Sequence, residues 1–271
     1  MFEKFMNIDR RIIFILVALA VIIPTLLPIN LPVSVSAPTR QLHDYIDALP
    51  AGSTIMLAFD YGPASLAELN PMAKALLKQC FDKDVGVIGI TLAPEGAAMG
   101  STLIQGIADE TGAIDGEDYV FLGYRPGEEL VILGMGTKIA SVFETDYNGK
   151  PLPDIPMMAN VTNYDQISLL IDLASGSSTE IWITYANVRY NLQIAAGVTG
   201  VIISQMYPYL QTGQLIGLIS GIAGAAEYES LLDAPAKGML WINIESFVHL
   251  LIVGLVVIGN IAFFIQRRKE E

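Results

Sequence analysis

The chain has 271 residues, 28 of them acidic and 15 basic, and its net charge of −13 excludes the electrostatic attraction that nucleic acid or anionic lipid headgroups require. A single cysteine, Cys80, excludes an internal disulfide framework, and with only two histidines, His43 and His249, far apart in sequence, no metal-ligand set or Ser-His-acid triad can be read. The 52% hydrophobic content comes partly from two terminal runs and points to membrane spans around one domain, with no cofactor motif in it.

Residues 1–11 read as a cytoplasmic tail carrying Lys4, Arg10 and Arg11. Residues 12–29 follow without a charge, and at 1.5 Å per residue they cover roughly 27 Å, close to the thickness of a hydrocarbon core. Pro24 and Pro28 predict a kinked outer end. A cleaved signal peptide would share the basic start and the small residues Ser34, Ser36 and Ala37, but the run is longer than a signal core and Pro38 follows Ala37 directly. Residues 30–50 hold Pro32, Pro38 and Pro50 and read as a stalk with a short helix near 41–49.

The domain is expected over residues 51–240. Thr54 to Phe59 and Val85 to Leu92 are apolar strands, and Asn70-Pro71 marks a helix start. A helix over 97–111 and a strand over 119–123 follow, then a short strand over 130–133 and a helix over 137–143. Three prolines between Asp146 and Asn163 predict an irregular excursion. Beyond it the pattern gives a strand over 167–173, a helix over 179–196, a strand over 201–204 and a helix over 212–232. Fully apolar strands alternating with helices imply a mostly parallel sheet covered on both faces, so the expected fold is a three-layer, Rossmann-like α/β domain between two transmembrane helices. The uncharged stretch 190–226 also admits a re-entrant membrane segment, although its glutamines and Pro208 interrupt it.

In such sheets ligands bind beyond the C-terminal strand ends. That rule singles out Asp60 and Tyr61, Glu95, Arg125, Ser175 and Ser177, and Gln205 as ligand-binding candidates. Asp60 and Glu95 would make a carboxylate pair suited to a cation or to acid–base work, against the plainer reading of solvated or capping carboxylates. Ser175 to Thr179 would make either an anion site or a simple helix cap. Gly134-Met135-Gly136 lacks the third glycine of a dinucleotide loop.

Gly213, Gly217 and Gly221 are spaced four apart, which on one helix would let a second helix or the sheet approach at backbone distance. Residues 247–265 form the second span, followed by a basic tail over 266–271, and basic clusters on the chain-end side of both spans place both termini in the cytoplasm of a two-pass cell-membrane protein. His249 and Asn260 share one face of that span and suggest a protein partner. Nine basic and 24 acidic residues lie between the two tails, so the extracytoplasmic part carries −15. The expected function is a non-enzymatic, self-associating scaffold or accessory subunit in contact with the bilayer and partner membrane proteins. The alternative is an exported enzyme or small-ligand receptor working at the strand ends.

Overall fold

The structure, a computed structural model, describes residues 9–27, 33–232 and 237–270. They form two compact units: an α/β domain from Val33 to Gly238, and a unit of the terminal helices α1 (Arg10–Leu26) and α10 (Lys237–Glu270), of which the part from Met239 belongs to it.

The domain opens with α2 (Ala37–Asp47) and then alternates strand and helix: β1 (Thr54–Asp60), α3 (Leu66–Asp82), β2 (Gly86–Thr91), α4 (Gly96–Thr111), β3 (Tyr119–Tyr124) and α5 (Glu128–Thr137). After the proline-rich excursion, which is made of short 3-10 turns, come β4 (Leu169–Ala174), α6 (Ser178–Trp182), a π turn (Ile183–Asn187), α7 (Val188–Tyr190), β5 (Ile194–Val198), α8 (Ile203–Gln211), β6 (Leu218–Ser220) and α9 (Gly221–Leu231). All six strands are parallel, in the order β3-β2-β1-β4-β5-β6. This is the doubly wound, Rossmann-like order, and its direction reverses between β1 and β4.

Both sheet faces are buried, which is why the strands read as continuous apolar runs. On one face Ile55, Leu57, Phe59, Ile171 and Leu173 pack under α2, α3, α4 and α9. On the other Met56, Ala58, Ile88, Ile90, Leu170 and Ala174 pack under α5, the α6 to α7 segment and α8. The three layers are therefore complete. Cys80 is wholly buried in the first core, and burial pushes its thiol up to about 12, so it is a packing residue with no nucleophilic character.

Several local expectations change. Leu130 to Leu133 is helix, because the left-handed Gly127 and the acidic first turn Glu128-Glu129 start α5 there. The helix expected over 179–196 ends at Asn191, which adopts φ 56, and Ile194 to Val198 become β5. Residues 201–204 are a turn and the start of α8, and the uncharged stretch 190–226 is built into the domain as β5, α8, β6 and the start of α9. The Gly134 and Gly136 pair lies inside α5, where added Cβ atoms would meet Val142 at 2.6 Å and the Tyr190 ring at 2.3 Å; the glycines serve close packing there.

The helix expected over 212–232 does not form as one piece, so Gly213, Gly217 and Gly221 share no helix face. Gly213 takes φ 75 in a turn, Gly217 precedes β6, and Gly221 takes φ 59 at the start of α9. Left-handed backbone at two of the three positions breaks the helix. Gly217 still marks a close approach, since its Cβ would stand 2.7 Å from Leu42 Cβ and 3.0 Å from the Pro38 carbonyl. That contact seats α2, whose Leu42 and Ile46 are fully buried and whose Thr39 hydroxyl donates to the Leu218 carbonyl at 3.2 Å. From Val33 onward the segment expected as a stalk thus belongs to the domain, with Thr39, Leu42 and Ile46 buried in it.

Among the described residues one helix is long and apolar enough to cross a membrane, Gly238–Ile265, with 28 residues and a mean hydropathy of 2.6 over its most apolar 18 residues. It covers about 42 Å at 1.5 Å per residue. The first expected span falls short: α1 has 17 residues, its first turn carries Arg10 and Arg11, and Pro24 sits near its end. Pro28 and Ile29, which the expected run included, lie outside the described residues. His249 and Asn260 are both exposed on α10, and His249 Nε2 lies 3.9 Å from Glu245 on its own helix.

Candidate functional site

A cavity of about 380 Å³ opens where the strand order reverses, at the C-terminal ends of β1, β2 and β4. That position is the one the sheet topology favours for a ligand, and the volume suits a small molecule. Its wall is contributed by the β1 exit (Asp60 to Ser65), the β2 exit (Leu92, Ala93 and Glu95), Glu128 at the start of α5, and the β4 exit (Ser175 to Ser178). Five of the residues expected from sequence converge here: Asp60, Tyr61, Glu95, Ser175 and Ser177. Arg125 and Gln205 do not. The Arg125 guanidinium turns back to the Tyr124 carbonyl, to which Nη1 donates at 3.0 Å, and lies 5.1 Å from the centre of the Phe143 ring. Gln205 is exposed on α8 and away from the cavity wall.

Beneath the cavity lie two buried aspartates, of which Asp60 reaches its wall. Asp172 pairs in register with Ala58 and Asp60 with Ala174, so the two acids stand diagonally on the same sheet face. Asp60 is 6% exposed and Asp172 0%. Asp60 Oδ1 accepts the Leu92 backbone N–H at 2.6 Å, and Oδ2 accepts the Trp182 indole N–H at 3.0 Å. Asp172 Oδ2 accepts the hydroxyls of Thr179 at 2.6 Å and Ser178 at 2.9 Å. Its other oxygen, Oδ1, receives no donor from the described residues.

Burial raises the pKa of both acids above the usual carboxylate range, Asp172 furthest because it also feels the Asp60 charge. Asp60 is held lower by the N–H bonds from Leu92 and Trp182. Of the two coupled acids Asp172 therefore holds a proton the more tightly, and Asp60 is the more readily ionised.

The surrounding backbone fixes this arrangement. Thr91 Oγ1 lies 2.8 Å from the carbonyls of Phe59 and Ala93 and accepts the Ala93 N–H at 3.0 Å, tying the β2 exit to β1. Gly96 brings the start of α4 so close that a Cβ would stand 2.1 Å from the Phe59 carbonyl. Tyr61, buried beside the crevice, donates its hydroxyl to Asn70 Oδ1 at 2.8 Å, and burial raises its pKa.

Asp172, Trp182 and Glu128 were not among the expected site residues, and Ser178 and Thr179 were expected only as part of an anion site or helix cap over 175–179. Asp172 had a readable signal: it is the one charge inside the apolar strand LLIDLA, and a charge so placed is buried and partnered. The approach of Trp182 to a β1 aspartate 122 residues away has no such signal.

No family model, curated protein or solved structure matches the chain, so the crevice has to be understood from its own chemistry.

Proposed function

We propose that this chain is a membrane-anchored α/β domain that binds a small polar ligand in the crevice above the Asp60–Asp172 pair. The observation that supports it is convergence: residues from four separate loops, spread from Asp60 to Ser178, line one cavity at the reversal of the strand order, over a buried acid pair whose oxygens accept from named donors. Perturbed acids beneath a cleft mark a candidate functional site. The scaffold reading has less support, since the three glycines that suggested a helix contact face lie in a turn, a strand entry and a helix start.

A screen of small polar molecules against the thermal stability of the detergent-solubilised full chain tests this reading. A ligand at a hundred times its Kd stabilises by about 2.7 kcal/mol. Ser177 is exposed on the cavity wall, so Ser177→Trp fills the crevice without touching the core. The stabilisation should vanish in that variant; hits that persist unchanged in it would sink the crevice as the site.

For the anchor, our proposal is two spans, α10 and the shorter α1, with both termini in the cytoplasm and the domain outside. The basic residues Lys4, Arg10 and Arg11 before the first run and Arg267, Arg268 and Lys269 after the second support it. Cys80 is buried and leaves a clean background for Asn148→Cys on an exposed loop. A membrane-impermeant maleimide should label that cysteine on intact cells, and labelling only after lysis would overturn the topology.

A further inference from the structure

We propose that the crevice selects ligands carrying a protonated amine over their neutral and anionic counterparts. This inference rests on the crevice being a ligand site and adds the chemical class of what enters it.

Two independent observations support the class. The first is the buried pair. Asp60 and Asp172 form a buried carboxylate pair, and the donors that reach it are uncharged: a backbone N–H, an indole N–H and two hydroxyls. A buried carboxylate is usually matched by a cation, and among the described residues Asp60 and Asp172 make no ion pair with Lys, Arg or His. Asp60 is the member of the pair that reaches the cavity wall.

The second is the wall itself. Its charged members are Asp60, Glu95 and Glu128, and among the described residues that line it none is Lys, Arg or His. Ser65, Ser175, Ser177 and Ser178 add hydroxyl groups that can accept from an ammonium. The starts of α3, α4, α5 and α6 border the crevice and would favour an anion, each by roughly half a charge. Together that is about +2, which the carboxylates of Asp60, Glu95 and Glu128 oppose with a larger formal charge. A cleft of one sign concentrates counter-ions.

The test uses the full chain in detergent and isothermal titration with matched probes: 1,4-diaminobutane against 1,4-butanediol, glucosamine against glucose at pH 6.5, and inorganic phosphate. At least one amine should bind at least about tenfold more tightly than its neutral partner, and phosphate should not bind. The double change Glu95→Gln with Glu128→Gln should weaken the amine about tenfold, as expected for two partly solvated charges a few ångströms from it. Glu117→Gln, at the opposite end of the strands, should leave it unaltered. Equal binding of amine and neutral partner, preference for phosphate, or an indifferent Glu95/Glu128 double variant would each overturn the proposal, as would no amine binding at all. The two readings fail separately: a neutral or anionic probe that binds and is blocked by Ser177→Trp preserves the crevice as a site while removing its amine preference. Amine binding that survives Ser177→Trp removes both.

Discussion

Gly96→Ala should cost the domain about 3 kcal/mol, at the upper end of what one inserted methyl group does to a packed interior. The added Cβ would stand 2.1 Å from the Phe59 carbonyl oxygen and 2.4 Å from Thr91 Oγ1. Neither is the loose end of a flexible side chain. The carbonyl belongs to β1, and the hydroxyl is committed to three backbone groups of the β1 and β2 exits. Relief requires α4 to retreat from the sheet, and its first turn adjoins Ala93 and Glu95, which form one wall of the crevice. The variant should therefore lose ligand binding along with stability. Gly106→Ala, in the same helix, is the control: nothing lies within 4 Å of its Cβ, so alanine should gain about 0.5–1 kcal/mol through helix propensity. Opposite signs in denaturant unfolding are the expected result, and a Gly96→Ala change of less than 1 kcal/mol would show that the close approach is not needed.

The parts of this fold that were readable from sequence are those where one physical signal acts alone. The strands β1 and β2 lie inside, and β3 at the edge of, a sheet buried on both faces, and TIMLAFD, GVIGIT and YVFLGY are apolar nearly throughout. The residues after β1, β2 and β4 were accessible for the same reason, because a parallel sheet collects its strand exits at one edge. The misread elements carry mixed signals. Strand β5, IAAGV, is rich in small residues that suit a helix, and only the left-handed Asn191 just before it marks the break. Leu130 to Leu133 is too short an apolar run for periodicity to separate helix from strand. Gly213 and Gly221 are spaced like a helix contact face but serve left-handed backbone, and spacing alone does not distinguish these uses. At the site, the strand exits were legible, buried Asp60 and Tyr61 included, while Asp172 and Trp182 beneath them were not. Trp182 reaches Asp60 through the register of β1 with β4 and the placement of α6, which are properties of the assembled sheet.

The two isosteric changes in the acid pair should differ in sign at alkaline pH. Both acids have folded-state pKa values raised above the roughly 3.9 of an unfolded aspartate. The native state therefore retains a proton that the unfolded chain releases, so the stability this proton confers is complete below about pH 4 and is lost as pH rises through the folded pKa of the pair. For one proton the slope is at most about 1.4 kcal/mol per pH unit. Asp172→Asn replaces the titrating proton with a permanent amide donor toward Asp60, while its carbonyl still accepts from Thr179 and Ser178. Relative to the unchanged protein this variant should gain stability as pH increases from 5 to 9. Asp60→Asn has the opposite consequence. Asp60 accepts on both oxygens, and an amide group turned toward either the Leu92 N–H or the Trp182 indole N–H leaves a buried donor unsatisfied at about 1–3 kcal/mol at any pH. Denaturant unfolding of the three proteins across that range measures the difference directly. Should Asp172→Asn prove as destabilising as Asp60→Asn at pH 8, Asp172 would be the ionised member and the proton would have to sit on Asp60, where two N–H donors already oppose it.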